Sequence, residues 1–233
     1  MADAWLPTAG RMLAKADGGT MKGGAPRAVW LTNEADPRAV SARSVALALN
    51  REDRPAHLIW NPCLGDIVQM LPITLAGRQL AGEVGREGRA CVQIMVIGSA
   101  QRPFTDGPLI GLESILNWLD IWSVPRRWPA GPPLPTPQSY HASRGRRAWA
   151  RGGHFGCSQV PETTSPGPGG IDIRRITGPE TPLVDIPRPR AIPVAETVLP
   201  PRLIRRPFEA VQGHGEESLV SSGLRATRVR PTA

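Results

Sequence analysis

Apolar positions along the chain fall into short runs with two different rhythms. "RAVWLT" (27–32) follows Pro26 as a continuous apolar run, the pattern of a buried strand. "SARSVALALN" (41–50) places Ala42, Val45, Ala46 and Leu49 at helical spacing, with Ser41 positioned as the N-cap. "AHLIWN" (56–61) and "DIVQML" (66–71) flank the turn "PCLG" and predict a β-hairpin. "CVQIMVIG" (91–98) is apolar throughout and predicts a central strand. "GPLIGLESILNWLDIW" (107–122) aligns Leu109, Leu112, Ile115, Leu116 and Leu119 on one face and predicts an amphipathic helix. "WPAGPPLPTPQ" (128–138) is a Pro-rich connector, and "RRAWARGGHFGCSQVP" returns to ordered structure. Residues 1–25, Gly-rich and without periodicity, are expected to be weakly structured. Strands and helices alternating over about 170 residues predict one α/β domain with a mixed β-sheet and flanking helices. Beyond about residue 178, Pro recurs among Arg, Glu and Thr. We expect a domain over 1–178 and a disordered Pro/Arg-rich tail over 179–233, with too little apolar surface to offset its ordering entropy.

Composition narrows the setting. The 233 residues carry a formal charge of +8, almost all of it on Arg, since Lys15 and Lys22 are the only lysines. Such a surface favours anionic partners, whether nucleic acid, acidic lipid or a cell-wall polymer. Cys63, Cys91 and Cys157 are too few and too scattered for a disulfide framework. No stretch reaches the roughly 18 apolar residues of a membrane span, and the start has no apolar leader core. The expectation is a chain made in the cytosol, without a membrane partner, whose site of action after release is the cell wall.

The order "VWLTNE", helix, "AHLIWNPCLGDIVQMLP", "CVQIMVIG", "LNWLDIWSVPRRWPAGPP" and "GGHFGCSQVPETTSPGPGGIDI" resembles the type 2 N-acetylmuramoyl-L-alanine amidases, relatives of the peptidoglycan-recognition proteins. The likeness is strongest to endolysins of actinobacterial phages and runs to about residue 177. It implies a type 2 amidase-like fold and peptidoglycan as the partner, acting on the amide between muramic acid and L-alanine. Family members hold one zinc through two His and one Asp or Cys, with an open position for water. A carboxylate serves as proton shuttle.

Carried onto this chain, that site is empty of its ligands. The first His, in a "WHTTE"-like motif, is Leu31 in "WLTNE". The second, in a "GHSQVPE"-like motif, is Cys157, and the Asp of a "DPG" turn is Gly167. The strand carboxylate falls on Met95. The resemblance therefore implies a degenerate copy that has lost the zinc cofactor, has no catalytic residue, and at most binds peptidoglycan as a monomer. His57, Gln69, His154, Ser158 and Gln159 are the polar residues expected to line its groove. One alternative is an active amidase with zinc rebuilt on Cys157 with His154 or His57, helped by Glu162. Another is a basic adaptor binding a polyanion, although "RGRRAWAR" (144–151) belongs to no nucleic-acid motif and nucleic acid is not the expected partner. For Trp118, Trp122 and Trp128, packing is the default over sugar stacking.

Overall fold

The computed structural model describes residues 3–141 and 145–179. They lie within a compact unit spanning Met1–Leu183. The tail expected over 179–233 lies, beyond Pro179, outside the described residues.

"RAVWLT" forms β2 (Arg27–Thr32), preceded by a two-residue β1 (Gly10–Arg11). Helix α1 (Ala42–Arg51) starts at Ser41, whose hydroxyl accepts from the Ser44 N–H at 3.1 Å, and buries Ala42, Val45, Ala46 and Leu49. Strands β3 (Leu58–Asn61) and β4 (Asp66–Gln69) pair antiparallel as the expected hairpin. Asn61 holds its turn, its Oδ1 accepting from the Cys63 and Leu64 N–H groups. Strand β5 (Cys91–Val96) is interior, as its unbroken apolar run requires. Helix α2 (Leu112–Ile121) is shorter than its periodicity suggested. Leu109 and Gly111 adopt left-handed φ values of 58° and 86°, and the Trp60 indole donates to the Ile110 carbonyl, so the first turn is an anchored loop. Helix α3 (Arg146–Ala150), strand β6 (Gly153–Gly156) and a short α4 (Arg174–Thr177) complete the order.

The sheet runs β1-β4-β3-β5-β2-β6, with β3, β5, β2 and β6 mutually parallel. Alternation of side chains divides two layers. Ala28, Trp30, Leu58, Trp60, Ile94 and Val96 face α2. Val29, Leu31, Ile59 and Met95 face α1, with Phe155 and Trp149. No helix among the described residues is long and apolar enough to cross a membrane.

The N-terminal segment departs from expectation. Leu6 is buried and its N–H donates to Gln69 Oε1 at 2.6 Å. The Met12 and Ala14 N–H groups donate to the Gln69 and Met70 carbonyls, and the Trp118 and Trp122 indoles both donate to the Asp3 carbonyl. A segment without periodicity of its own is ordered as an edge because β4 and α2 supply partners for its backbone.

Candidate functional site

Leu31 and Met95 are register partners near the carboxyl ends of β2 and β5, both facing α1. Strand β6 pairs on the other side of β2, with Gly156 opposite Trp30, and delivers Cys157 to the same layer. The three residues meet in one cleft of about 410 Å³. Val45 and Leu49 of α1 add to its floor, and Asn33, Glu52, Arg54, Gln79 and Ser165 stand around it. Gly167 abuts the same strand end: a Cβ there would meet Thr32 Oγ1 at 2.8 Å and Thr32 N at 3.3 Å. Thr32 Oγ1 donates to Glu34 Oε1 at 2.7 Å, so the hydroxyl is held where that Cβ would go.

The donors at these positions do not fit zinc. Positions 31, 157 and 167 offer an isobutyl group, a thiol and a hydrogen, and Met95 stands where the carboxylate was expected. The Cys157 thiol lies 3.7 Å from Thr163 Oγ1 and is 1% exposed. Among the described residues no three His, Cys, Asp or Glu side chains converge on a metal position.

The five polar residues expected to line a groove are instead interior, 3% exposed or less. His57 donates from Nε2 to the Leu75 carbonyl at 2.8 Å and accepts the Gln93 N–H on Nδ1 at 3.0 Å. Gln69 ties the N-terminal arm, its Nε2 donating to the Ala4 and Leu71 carbonyls. His154 lies between Trp30 and Trp128, ring centroids 5.9 and 6.0 Å away, and its Nδ1 accepts from the Trp30 indole at 3.0 Å. Gln159 accepts from the Trp128 indole and the Gly156 N–H and donates to the Gly131 carbonyl, fastening the Pro-rich connector to β6. The Ser158 N–H donates to the Gly167 carbonyl at 2.7 Å. Internal partners satisfy most of their side-chain groups, while His154 Nε2 and Ser158 Oγ are buried with no hydrogen-bond partner among the described residues. Burial also lowers the His57 pKa to about 4 and the His154 pKa to about 3, so both rings are neutral at pH 7.

The rebuilt zinc site loses its partners on the same geometry. His154 stacks on Trp30 in the α2 layer, whereas Cys157 lies in the α1 layer, so the sheet separates them. Both His57 nitrogens are engaged, and Glu162 is exposed in an ion pair with Arg146. The arginine–tryptophan run is likewise structural in part. Arg146 pairs with Glu87 at 2.6 Å, the Trp149 indole donates to the same carboxylate, and the Arg27 guanidinium lies 4.2 Å from the Trp149 ring centroid. Trp118 and Trp128 are buried, which fits packing over sugar stacking.

A second crevice, of about 560 Å³, opens between residues 34–38 and 97–104 and is absent from the sequence reading. Its residues come from three separate loops with no motif in common, so no local signal marks it.

No family model matches the chain, and no curated protein matches it. Solved structures similar to it include an N-acetylmuramoyl-L-alanine amidase endolysin of Clostridium intestinale. That likeness has 11% identity and a TM-score of 0.45, covering 74% of this chain and 95% of that one. AmpD is 18% identical with a TM-score of 0.43, over 75% and 95% of the two chains. The peptidoglycan recognition protein Hd of Alvinella pompejana is 11% identical with a TM-score of 0.36, over 48% and 76%. Solved structures that this chain is similar to include an amidase and a peptidoglycan recognition protein, bearing the names of the family its sequence resembles.

Proposed function

We propose that this chain is an amidase-like protein without amidase activity, acting as a monomer that binds peptidoglycan at most. One observation carries the reading. Leu31, Met95 and Cys157, placed far apart in sequence by the resemblance alone, line one cleft at the carboxyl ends of β2 and β5, with Gly167 against the same strand end. Their meeting in space supports the correspondence drawn from the sequence. What they offer is one thiol, no imidazole and no carboxylate. Hydrolysis of an amide needs a polarised carbonyl and an activated water. Leu31, Gly167 and Met95 supply neither a ligand for a Lewis acid nor a proton acceptor, and Cys157 alone leaves a tetrahedral site incomplete. What remains for the cleft is binding, through an apolar floor and a polar rim.

Metal analysis after dialysis against a mild chelator tests the reading, together with co-sedimentation on purified peptidoglycan and an assay for released peptide. Far less than one zinc per chain, and no release of peptide, are expected. Stoichiometric zinc surviving dialysis, or peptide release above a boiled control, would overturn the loss of activity. Failure to sediment with peptidoglycan would remove the proposed partner.

A further inference from the structure

The loops after β2 and β5 leave the sheet on opposite sides. From β2 the chain enters α1, which packs on the layer holding Val29 and Leu31. From β5 it passes through a turn at Phe104–Asp106 into α2, which packs on the layer holding Trp30 and Val96. The two strands are parallel neighbours, Thr32 opposite Val96. Adjacent parallel strands whose connections diverge in this way open a crevice at their carboxyl ends, the general position for ligands in open α/β sheets. The 560 Å³ crevice lies there, with the hairpin turn after β3 adding Pro62 and Cys63.

Its walls are braced. Glu34, held at a φ of 58°, accepts from Ser99 Oγ at 2.7 Å and from the Ala100 N–H at 3.0 Å. Asn33 Oδ1 accepts from the Gly98 N–H, and Asn61 Nδ2 donates to the Pro37 and Val40 carbonyls. Asp36 Oδ1 accepts from the Arg38 N–H. Asn33 Oδ1 and both Glu34 oxygens are therefore engaged within the protein, whereas the exposed Asp36 carboxylate accepts only the local Arg38 N–H. The exposed guanidinium groups of Arg38 and Arg102 have no hydrogen bond or ion pair among the described residues. Ile97, Phe104 and Pro103 give the crevice an apolar side.

We propose that this crevice binds a small ligand carrying an oxyanion, a carboxylate or a phosphate, on an apolar body, with Arg38 and Arg102 holding the anion. Open guanidinium donors match oxyanion geometry, and walls fixed beforehand reduce the ordering cost of binding. The proposal is independent of the amidase-like reading, since it uses none of positions 31, 95, 157 or 167.

Cys63 provides the readout. It is half-buried in the crevice, while Cys91 and Cys157 are buried, and burial pushes the Cys91 thiol up to about 12. The full-length protein is alkylated at low ionic strength with iodoacetate and with iodoacetamide, reagents that differ only in the anion. Mass spectrometry follows the rate at Cys63, and Cys63→Ser serves as control for the other thiols. The ratio of the two rates should fall about tenfold in the Arg38→Gln/Arg102→Gln variant, as two charges near the incoming anion are removed. Millimolar benzoate or phenyl phosphate should slow iodoacetamide in the wild type and not in the variant, whichever protects better naming the anion, while benzamide should do neither. An unchanged ratio, or equal protection of both proteins, would overturn the proposal. Both arginines are exposed, so the variant is expected to keep the thermal midpoint of the wild type.

Discussion

Two clefts at the carboxyl ends of the same strands present opposite faces to a ligand. At Leu31, Met95 and Cys157 the floor is apolar and joins the α1-side core. In the crevice between residues 34–38 and 97–104 the Glu34 carboxylate is tied into the walls and two guanidinium groups stand open. Glu34 touches both regions, holding Thr32 beside Gly167 and Ser99–Ala100 across the crevice. The difference teaches that residues at the same strand ends can be absorbed into packing on one side of the sheet, while a neighbouring loop pair keeps hydrogen-bonding capacity directed outward.

The largest expected effect comes from forcing polarity back into the absorbed cleft. Leu31→His/Cys157→His/Gly167→Asp should lower stability by about 3–6 kcal/mol without metal, through lost packing and unpaired polar atoms. The contact of a new Cβ with Thr32 adds to this. Adding Thr32→Ala should recover part of the loss, and zinc should raise the melting temperature of this quadruple variant but not that of the wild type. A midpoint insensitive to zinc would show that the three positions are not a ligand set.

Acid tests the buried interior against the open crevice. His57 and His154 have folded pKa values below the ordinary 6.5. The unfolded chain therefore binds more protons between pH 6.5 and about 4, and their contribution is complete above 6.5 and lost as pH falls. Each neutral ring should cost up to roughly 1.4 kcal/mol per pH unit across that window, or on the order of 5 kcal/mol for both at pH 4.5. Urea midpoints from pH 7.5 to 4.5 should trace this slope, and His154→Gln should flatten it. A flat profile in the wild type would contradict the burial of these rings.

Removing the brace between the two regions has a smaller effect. Glu34→Ala should cost about 1–2 kcal/mol, from the lost acceptor for Ser99 and Ala100. Alkylation of Cys63 should become faster as the crevice wall loosens. Glu34→Gly should be milder in thermal denaturation than Glu34→Ala, because the φ of 58° suits glycine. The smallest effect belongs to the open arginines: Arg38→Gln and Arg102→Gln should each change stability by less than about 0.5 kcal/mol.

The sequence by itself determined the elements whose side-chain rhythm is complete in a single run. β2, α1, the β3–β4 hairpin and β5 follow from apolar spacing, the Ser41 cap and the turn at Asn61–Gly65. It also determined that Leu31, Cys157 and Gly167 carry no complete ligand set, because ligand chemistry belongs to the residue type. Tertiary structure alone decided three other matters. It ordered the N-terminal arm, which has no periodicity and depends on Gln69 and on the tryptophans of α2. It turned His57, Gln69, His154, Ser158 and Gln159 inward, since whether a polar residue in an apolar run faces a groove or a core depends on partners distant in sequence. It created the Arg38–Arg102 crevice by sending the chain to opposite sides of the sheet after β2 and β5, a choice made by which layer each helix covers, and local spacing along the chain carries no record of that choice.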